Sequence, residues 1–204
     1  MGNHIETSLI HGAIREGYGD KKGAVNVPMY MSSTFHQESI DEFGEYDYAR
    51  SGNPTRAALE KLVAELEGAQ YGYAFASGIA AVTAPLMTLS QGDHIVITED
   101  VYGGTYRLVT KLLPRYGITH TFVDCADLAA VEAAIQPNTK VLFIETPSNP
   151  TLKITDIRSI VAIAKKHNLK TFLDNTFMTP IHQRTIDMGV DVVIHSATKF
   201  LSGH

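Results

Sequence analysis

The stretch Asp191-Val-Val-Ile-His195-Ser196-Ala-Thr198-Lys199 runs from an apolar segment into two hydroxyls and a lysine. A short β-branched run of this kind predicts a buried strand. Polar groups placed just past its carboxyl end predict a ligand edge, because open α/β sheets bind beyond the carboxyl ends of their strands. Upstream, Lys170-Thr-Phe-Leu-Asp174-Asn175 is a second apolar run, and it ends in a carboxylate. An amine and an acid can therefore converge on one sheet edge.

Outward from these two runs, strand-like and helix-like patterns alternate. Strands are expected at residues 71–76, 94–98, 119–123, 141–145, 171–173 and 192–195, and helices at 78–89, 105–116, 128–135, 157–167 and 184–188. That order predicts an α/β domain, a mostly parallel sheet with helices on both faces. A further helix has clear punctuation: Asn53 as N-cap, Pro54 at its first position, Leu59, Leu62, Val63 and Leu66 along one face, and Gly68 as the stop. The first fifty residues show no sustained period, so residues 1–52 are expected to form an extended arm and 53–204 the α/β domain. No turn or closing element follows Lys199, so the pattern suggests a chain cut off before its final domain.

The 204 residues are 44% hydrophobic and 19% charged, enough apolar material for a sizeable core. Net charge is -5 and no Lys/Arg run occurs, which disfavours nucleic acid or an anionic membrane as partner and favours a small molecule. Cys125 is the only cysteine, so no intrachain disulfide can form, and Asn3, His4 and Glu6 occupy the place of a secretory signal's apolar stretch. A cytoplasmic protein is expected. Residues 78–89 are apolar but short and interrupted by Pro85, which suits a buried helix better than a membrane span. The 9 histidines are scattered without zinc-type spacing, so no metal site is expected.

A lysine and an acid on neighbouring strand ends suit pyridoxal phosphate, which takes an amine on its aldehyde and a carboxylate beside its ring nitrogen. Lys199 and Asp174 are the candidates. Ser77-Gly78-Ile79 opens an apolar helix whose free N–H groups can cradle a phosphate, although Ser77 could equally be a plain N-cap. Tyr102 in Tyr102-Gly-Gly104 could stack on a ring or simply fill a turn. Asn149 in Glu145-Thr-Pro-Ser-Asn149-Pro150 could donate to a ring oxygen or only shape a turn. Tyr48-Ala-Arg50 offers a phenol and a forked donor suited to phosphate, with a solvated arm as the plainer reading. The G-x-G-x-x-G and G-x-x-x-x-G-K-[ST] phosphate motifs are absent, which disfavours a nicotinamide oxidoreductase.

Taken in order, Tyr48-Ala-Arg50-Ser-Gly-Asn-Pro-Thr55, Ala76-Ser-Gly-Ile79, Asp100-Val-Tyr-Gly-Gly104, Glu145-Thr-Pro-Ser-Asn-Pro150, Asp174-Asn-Thr-Phe177 and His195-Ser-Ala-Thr-Lys199 resemble the Cys/Met-metabolism family of pyridoxal-phosphate enzymes. The resemblance implies the aspartate-aminotransferase type fold, with Lys199 and Tyr102 as catalytic residues. It implies Lys199 as the cofactor's anchor, Asp174 against its ring nitrogen, Tyr102 stacked on the ring and Asn149 near the ring hydroxyl. Ser77, Gly78, Ile79, Ser196 and Thr198 would hold the phosphate. Tyr48 and Arg50 would reach the phosphate of a neighbouring subunit in a homodimer or homotetramer.

Within the family, Phe35-His-Gln-Glu-Ser39, Leu89-Ser-Gln-Gly-Asp-His94 and Lys199-Phe-Leu-Ser-Gly-His204 look most like the bacterial cystathionine β-lyases, although Phe200 stands where many relatives have tyrosine. The implied activity is carbon–sulfur cleavage of an amino acid by β-elimination. γ-Specific relatives share the same cofactor residues and remain the alternative, and a non-catalytic phosphate-binding fragment is the rival from another class. The family chain continues for about as long again and carries there the arginine that grips the substrate carboxylate.

Overall fold

The computed structural model describes residues 4–203 and divides the chain into a compact unit ending at Ala74 and another beginning at Phe75. In the second unit, β1 (His94–Thr98), β2 (Thr119–Val123), β3 (Thr139–Glu145), β4 (Lys170–Asp174) and β5 (Val192–Ile194) form a five-stranded sheet in the order β2-β1-β3-β4-β5. Every neighbouring pair is parallel. Parallel strands need crossover connections, and the helices supply them.

Alternating side chains show how the two faces are covered. Ile95, Ile97, Val141, Phe143 and Phe172 pack with Val82 and Leu86 of α3 (Gly78–Leu86) and with Val109 and Leu113, which lie beyond α4 (Gly103–Arg107). Val96, Leu142, Ile144 and Leu173 pack instead with Val131 of α5 (Leu128–Ala133) and with Ile160, Val161 and Ala164 of α6 (Ile157–Lys166). Strand residues of odd and even register thus serve different helix layers, as period-two side chains must. Because both faces are buried, the inner strands β1 and β3 carry long apolar runs, which is why they could be located from sequence, whereas the edge strand β2 reads Thr-His-Thr-Phe-Val.

Three expectations need correction. Residues 71–76 form no strand: Tyr71 and Tyr73 are 67% and 75% exposed, and the Ala74 amide donates to Glu60 Oε1 at 2.9 Å instead of to a sheet. Residues 184–188 are only a short 3₁₀ turn, Ile186–Met188, preceded by the single-turn α7 (Thr179–His182). The opening segment, expected to be extended, begins with α1 (Ile5–Ala13).

The first unit is built around α1 and α2 (Pro54–Glu67). α2 starts as its sequence predicts, with Asn53 Oδ1 accepting the Thr55 amide at 2.8 Å, and stops at Gly68 in the left-handed region, φ 75°. α1 buries Ser8, Gly12 and Ala13 rather than large apolar residues. Ser8 Oγ donates to Glu65 Oε1 at 2.6 Å, and a Cβ on Gly12 would stand 2.9 Å from Leu62 Cδ1, so small side chains let the two helices approach closely. Among the described residues no helix is long and apolar enough to cross a membrane.

Candidate active site

A cavity of about 180 Å³ opens at the carboxyl edge of the sheet. Lys199, Asp174, Tyr102 and Asn149 line it together, and so do Ser77, Gly78, Ile79, Ser196 and Thr198. These residues come from five places along the chain, and parallel topology brings four of them together because each strand delivers its last residues to the same edge, where the start of α3 joins them. Tyr48 and Arg50 belong to the first unit, where the Arg50 guanidinium lies 4.9 Å from the Tyr48 ring centroid.

One end of the cavity is built for an anion. Ser77 caps α3, its Oγ accepting the Ala80 amide at 3.3 Å, while the amides of Gly78 and Ile79 belong to the first turn, which lacks intrahelical acceptors. A Cβ on Gly78 would stand 2.8 Å from both Cβ and Oγ of Ser196, so only glycine lets the helix start lie this close to the turn after β5. Lys199 Nζ donates to Ser196 Oγ at 3.2 Å and sits 5.9 Å from the Tyr102 ring centroid. The amine thus lies between the hydroxyl-lined end and the aromatic ring.

The opposite end is acidic and buried. Asp174 is 7% exposed, and burial raises its pKa above the ordinary carboxylate range. Thr176 opposes that rise, its amide and hydroxyl donating to Asp174 Oδ1 at 3.0 and 2.5 Å, as do the charges of His195 and Lys199. The same Thr176 hydroxyl accepts the Ser196 amide at 2.8 Å, which links the acid to the Ser196 turn through one side chain. Glu145 ends β3 directly opposite Asp174 and also lines the cavity. Burial and the Asp174 charge push its pKa up to about 8.

Thr176, Glu145 and Phe177 line this cavity without having been given a role from sequence. Glu145 was visible as a strand-end carboxylate, but its importance depends on cross-strand register. Thr176 could have been suspected from its place two residues after Asp174, a spacing at which a hydroxyl reaches back to a carboxylate. Among the described residues no group of three or more His, Cys, Asp and Glu is arranged to hold a metal ion.

The donor set fits pyridoxal phosphate. An amine stands in the cavity, a glycine-lined helix start offers amides to a phosphate, and paired buried carboxylates favour a cation such as a protonated ring nitrogen. The fold is that of the large domain of fold-type-I pyridoxal-phosphate enzymes. The family model described as Cys/Met metabolism PLP-dependent enzyme matches residues 6–204.

Cystathionine beta-lyase MetC of Bacillus subtilis (strain 168) is 59% identical over 200 residues, covering 98% of this chain and 51% of the relative. Cystathionine gamma-lyase of the same organism is 54% identical over 200 residues, covering 98% and 52%. The crystal structure of cystathionine gamma-lyase from Lactobacillus plantarum complexed with L-serine superposes with a TM-score of 0.93 at 51% identity, covering 99% of this chain and 52% of that one. The chain belongs to the Cys/Met metabolism PLP-dependent enzyme family. It spans about half the length of the curated relatives it matches.

Proposed function

We propose that this chain forms the cofactor-binding part of a cytoplasmic carbon–sulfur lyase that cleaves cystathionine by β-elimination to homocysteine, pyruvate and ammonia. The observation that carries the reading is the convergence of Lys199, Asp174 and the start of α3 on one cavity. When bound, pyridoxal phosphate supplies an electron sink for the charge left on the substrate α-carbon. Lys199 is the amine that anchors the cofactor and, once released, the base that takes the α-proton. Asp174 faces the ring nitrogen as an anion and keeps it protonated. Ser77, Gly78, Ile79, Ser196 and Thr198 hold the phosphate, Tyr102 covers the ring and Asn149 approaches its hydroxyl. Water is consumed overall as the Cβ–S bond breaks and the sulfur leaves as a thiol.

The β-lyase choice over a γ-lyase is supported by the higher identity to a β-lyase, 59% against 54%. Products decide it. The full-length protein loaded with pyridoxal phosphate and given cystathionine is expected to release pyruvate and homocysteine; 2-oxobutyrate and cysteine as the main products would replace β- with γ-elimination and leave the cofactor residues untouched.

The same reading makes residues 1–52 an arm whose Tyr48 and Arg50 serve the cofactor of a neighbouring subunit in a homodimer or homotetramer. Mixing full-length Arg50→Ala and Lys199→Ala proteins should then restore activity in hybrids. No restoration despite demonstrated subunit exchange would confine the arm to its own subunit.

A further inference from the structure

We propose that Glu145 is a positioning residue for the cofactor, fixing the loops that carry Tyr102 and Asn149 by holding both of their backbone amides. The inference rests on the function proposed above. Tyr102 and Asn149 belong to different loops, one after β1 and one after β3. Glu145 Oε2 accepts the Tyr102 amide at 2.8 Å, and the Asn149 amide donates to the same carboxylate. One buried side chain, 6% exposed, thereby sets the separation of the two loops.

Two neighbours reinforce this clamp. Asp100 Oδ2 accepts the hydroxyls of Ser148 and Thr151, and the Thr151 amide at 3.2 Å, so the same loops are tied a second time. Gly104 makes room for the Tyr102 ring: a Cβ there would stand 2.3 Å from Tyr102 Cε1. Tyr102 is therefore constrained at its amide by Glu145 and at its ring by the glycine backbone. A carboxyl group presents two oxygens, so one side chain can accept both amides.

The position also costs stability. Asp174 and Asp100 are the charged groups acting on Glu145 from the neighbouring strand and loop, and with burial they favour its protonated form. Lys199 is the one Lys or Arg among the described residues that line the same cavity. A neutral acceptor would serve a purely structural loop contact without placing two acids side by side. A second acid beside Asp174 makes sense where a cationic ring nitrogen is to be received.

A double-mutant cycle on the full-length protein tests the inference, reading the dissociation constant for pyridoxal phosphate and the induced circular dichroism of the bound cofactor. Glu145→Ala and Tyr102→Ala are each expected to weaken binding about tenfold, with weaker dichroism. The double variant should fall clearly short of the product of the two penalties, because Glu145 acts in part through Tyr102. Penalties that multiply to about a hundredfold, the outcome of independent sites, would overturn the proposal. So would a Glu145→Ala protein that binds as tightly as wild type. If that variant does not fold, Glu145→Gln enters the same cycle under the same criterion. Borohydride trapping in wild type separates the two levels: a label away from Lys199 defeats the proposed function, whereas a label at Lys199 with multiplying penalties defeats only the role of Glu145.

Discussion

The two ends of the sheet handle buried polar groups in opposite ways. At the amino end His94, 1% exposed, shares hydrogen bonds with Thr139 Oγ1 at 2.8 Å and Thr121 Oγ1 at 2.9 Å, and Gln136 Nε2 lies 3.2 Å from its Nε2. Its ring nitrogens are supplied by neighbours, and burial lowers its pKa. At the carboxyl end Glu145 and Asp174 face each other with raised pKa values, so they hold unspent affinity for positive charge. A polar cluster completed from within serves the fold, whereas one that is completed only by a cation is prepared for a ligand.

The sharpest way to break this contrast is at Lys199. Lys199→Ala should lose borohydride-trapped cofactor entirely, read by mass of the labelled peptide, and labelling elsewhere would remove the carboxyl end's claim to be the site. Asp174→Ala in the full-length protein should retain cofactor while turnover falls about 10²-fold or more, the scale set by losing a preorganised charge partner. Near wild-type turnover at full occupancy would mean that the ring nitrogen has no need of the acid.

Stability against pH separates the two ends by sign. Glu145 is raised from 4.5 to about 8 in the cofactor-free fold, so its contribution is present below about 4.5 and is lost as pH rises toward 8. His94 is lowered from 6.5, so its contribution is present above that value and is lost as pH falls through its lowered pKa. Denaturant melts of the apo protein should show Glu145→Gln flattening the fall in stability between about pH 4.5 and 8, by up to about 5 kcal/mol. Persistence of the full slope would shift the burden to Asp174, which is raised in the same direction.

The smallest effect is expected at the amino end. His94→Ala should cost about 1–3 kcal/mol by stranding the Thr139 and Thr121 hydroxyls, with cofactor trapping at Lys199 unchanged. A drop in trapping would show that the ends are coupled.

Much of this arrangement was legible in the sequence, for a definite reason. Strands buried on both faces, such as Ile95-Val-Ile97 and Val141-Leu-Phe-Ile144, are runs of large apolar residues, and the polar residue that ends each run marks the site edge. What escaped was set by contacts distant in sequence. α1 buries Ser8 and Gly12, which carry no apolar periodicity, and the Tyr71–Tyr73 alternation mimics a strand although both tyrosines are exposed and the Ala74 amide that follows goes to Glu60. Glu145 resembles any acid before a turn until register sets it opposite Asp174 and the Tyr102 amide finds it from 43 residues away.

The strand order has a consequence for the nascent chain. β1 and β3 can pair in the middle of the sheet, β2 and β4 can flank them, and β5 then adds at the edge against β4 alone. Lys199 follows that last strand, more than a hundred residues after the helix start at Ser77 against whose Gly78 the Ser196 turn must fit. During synthesis the amine therefore emerges only after the other residues named at this cavity have been made, so a ribosome paused before β5 would carry strands β1 to β4 without Lys199 in their cleft. If Lys199 anchors the cofactor as proposed, its attachment would report that β1 to β5 have been translated and zipped.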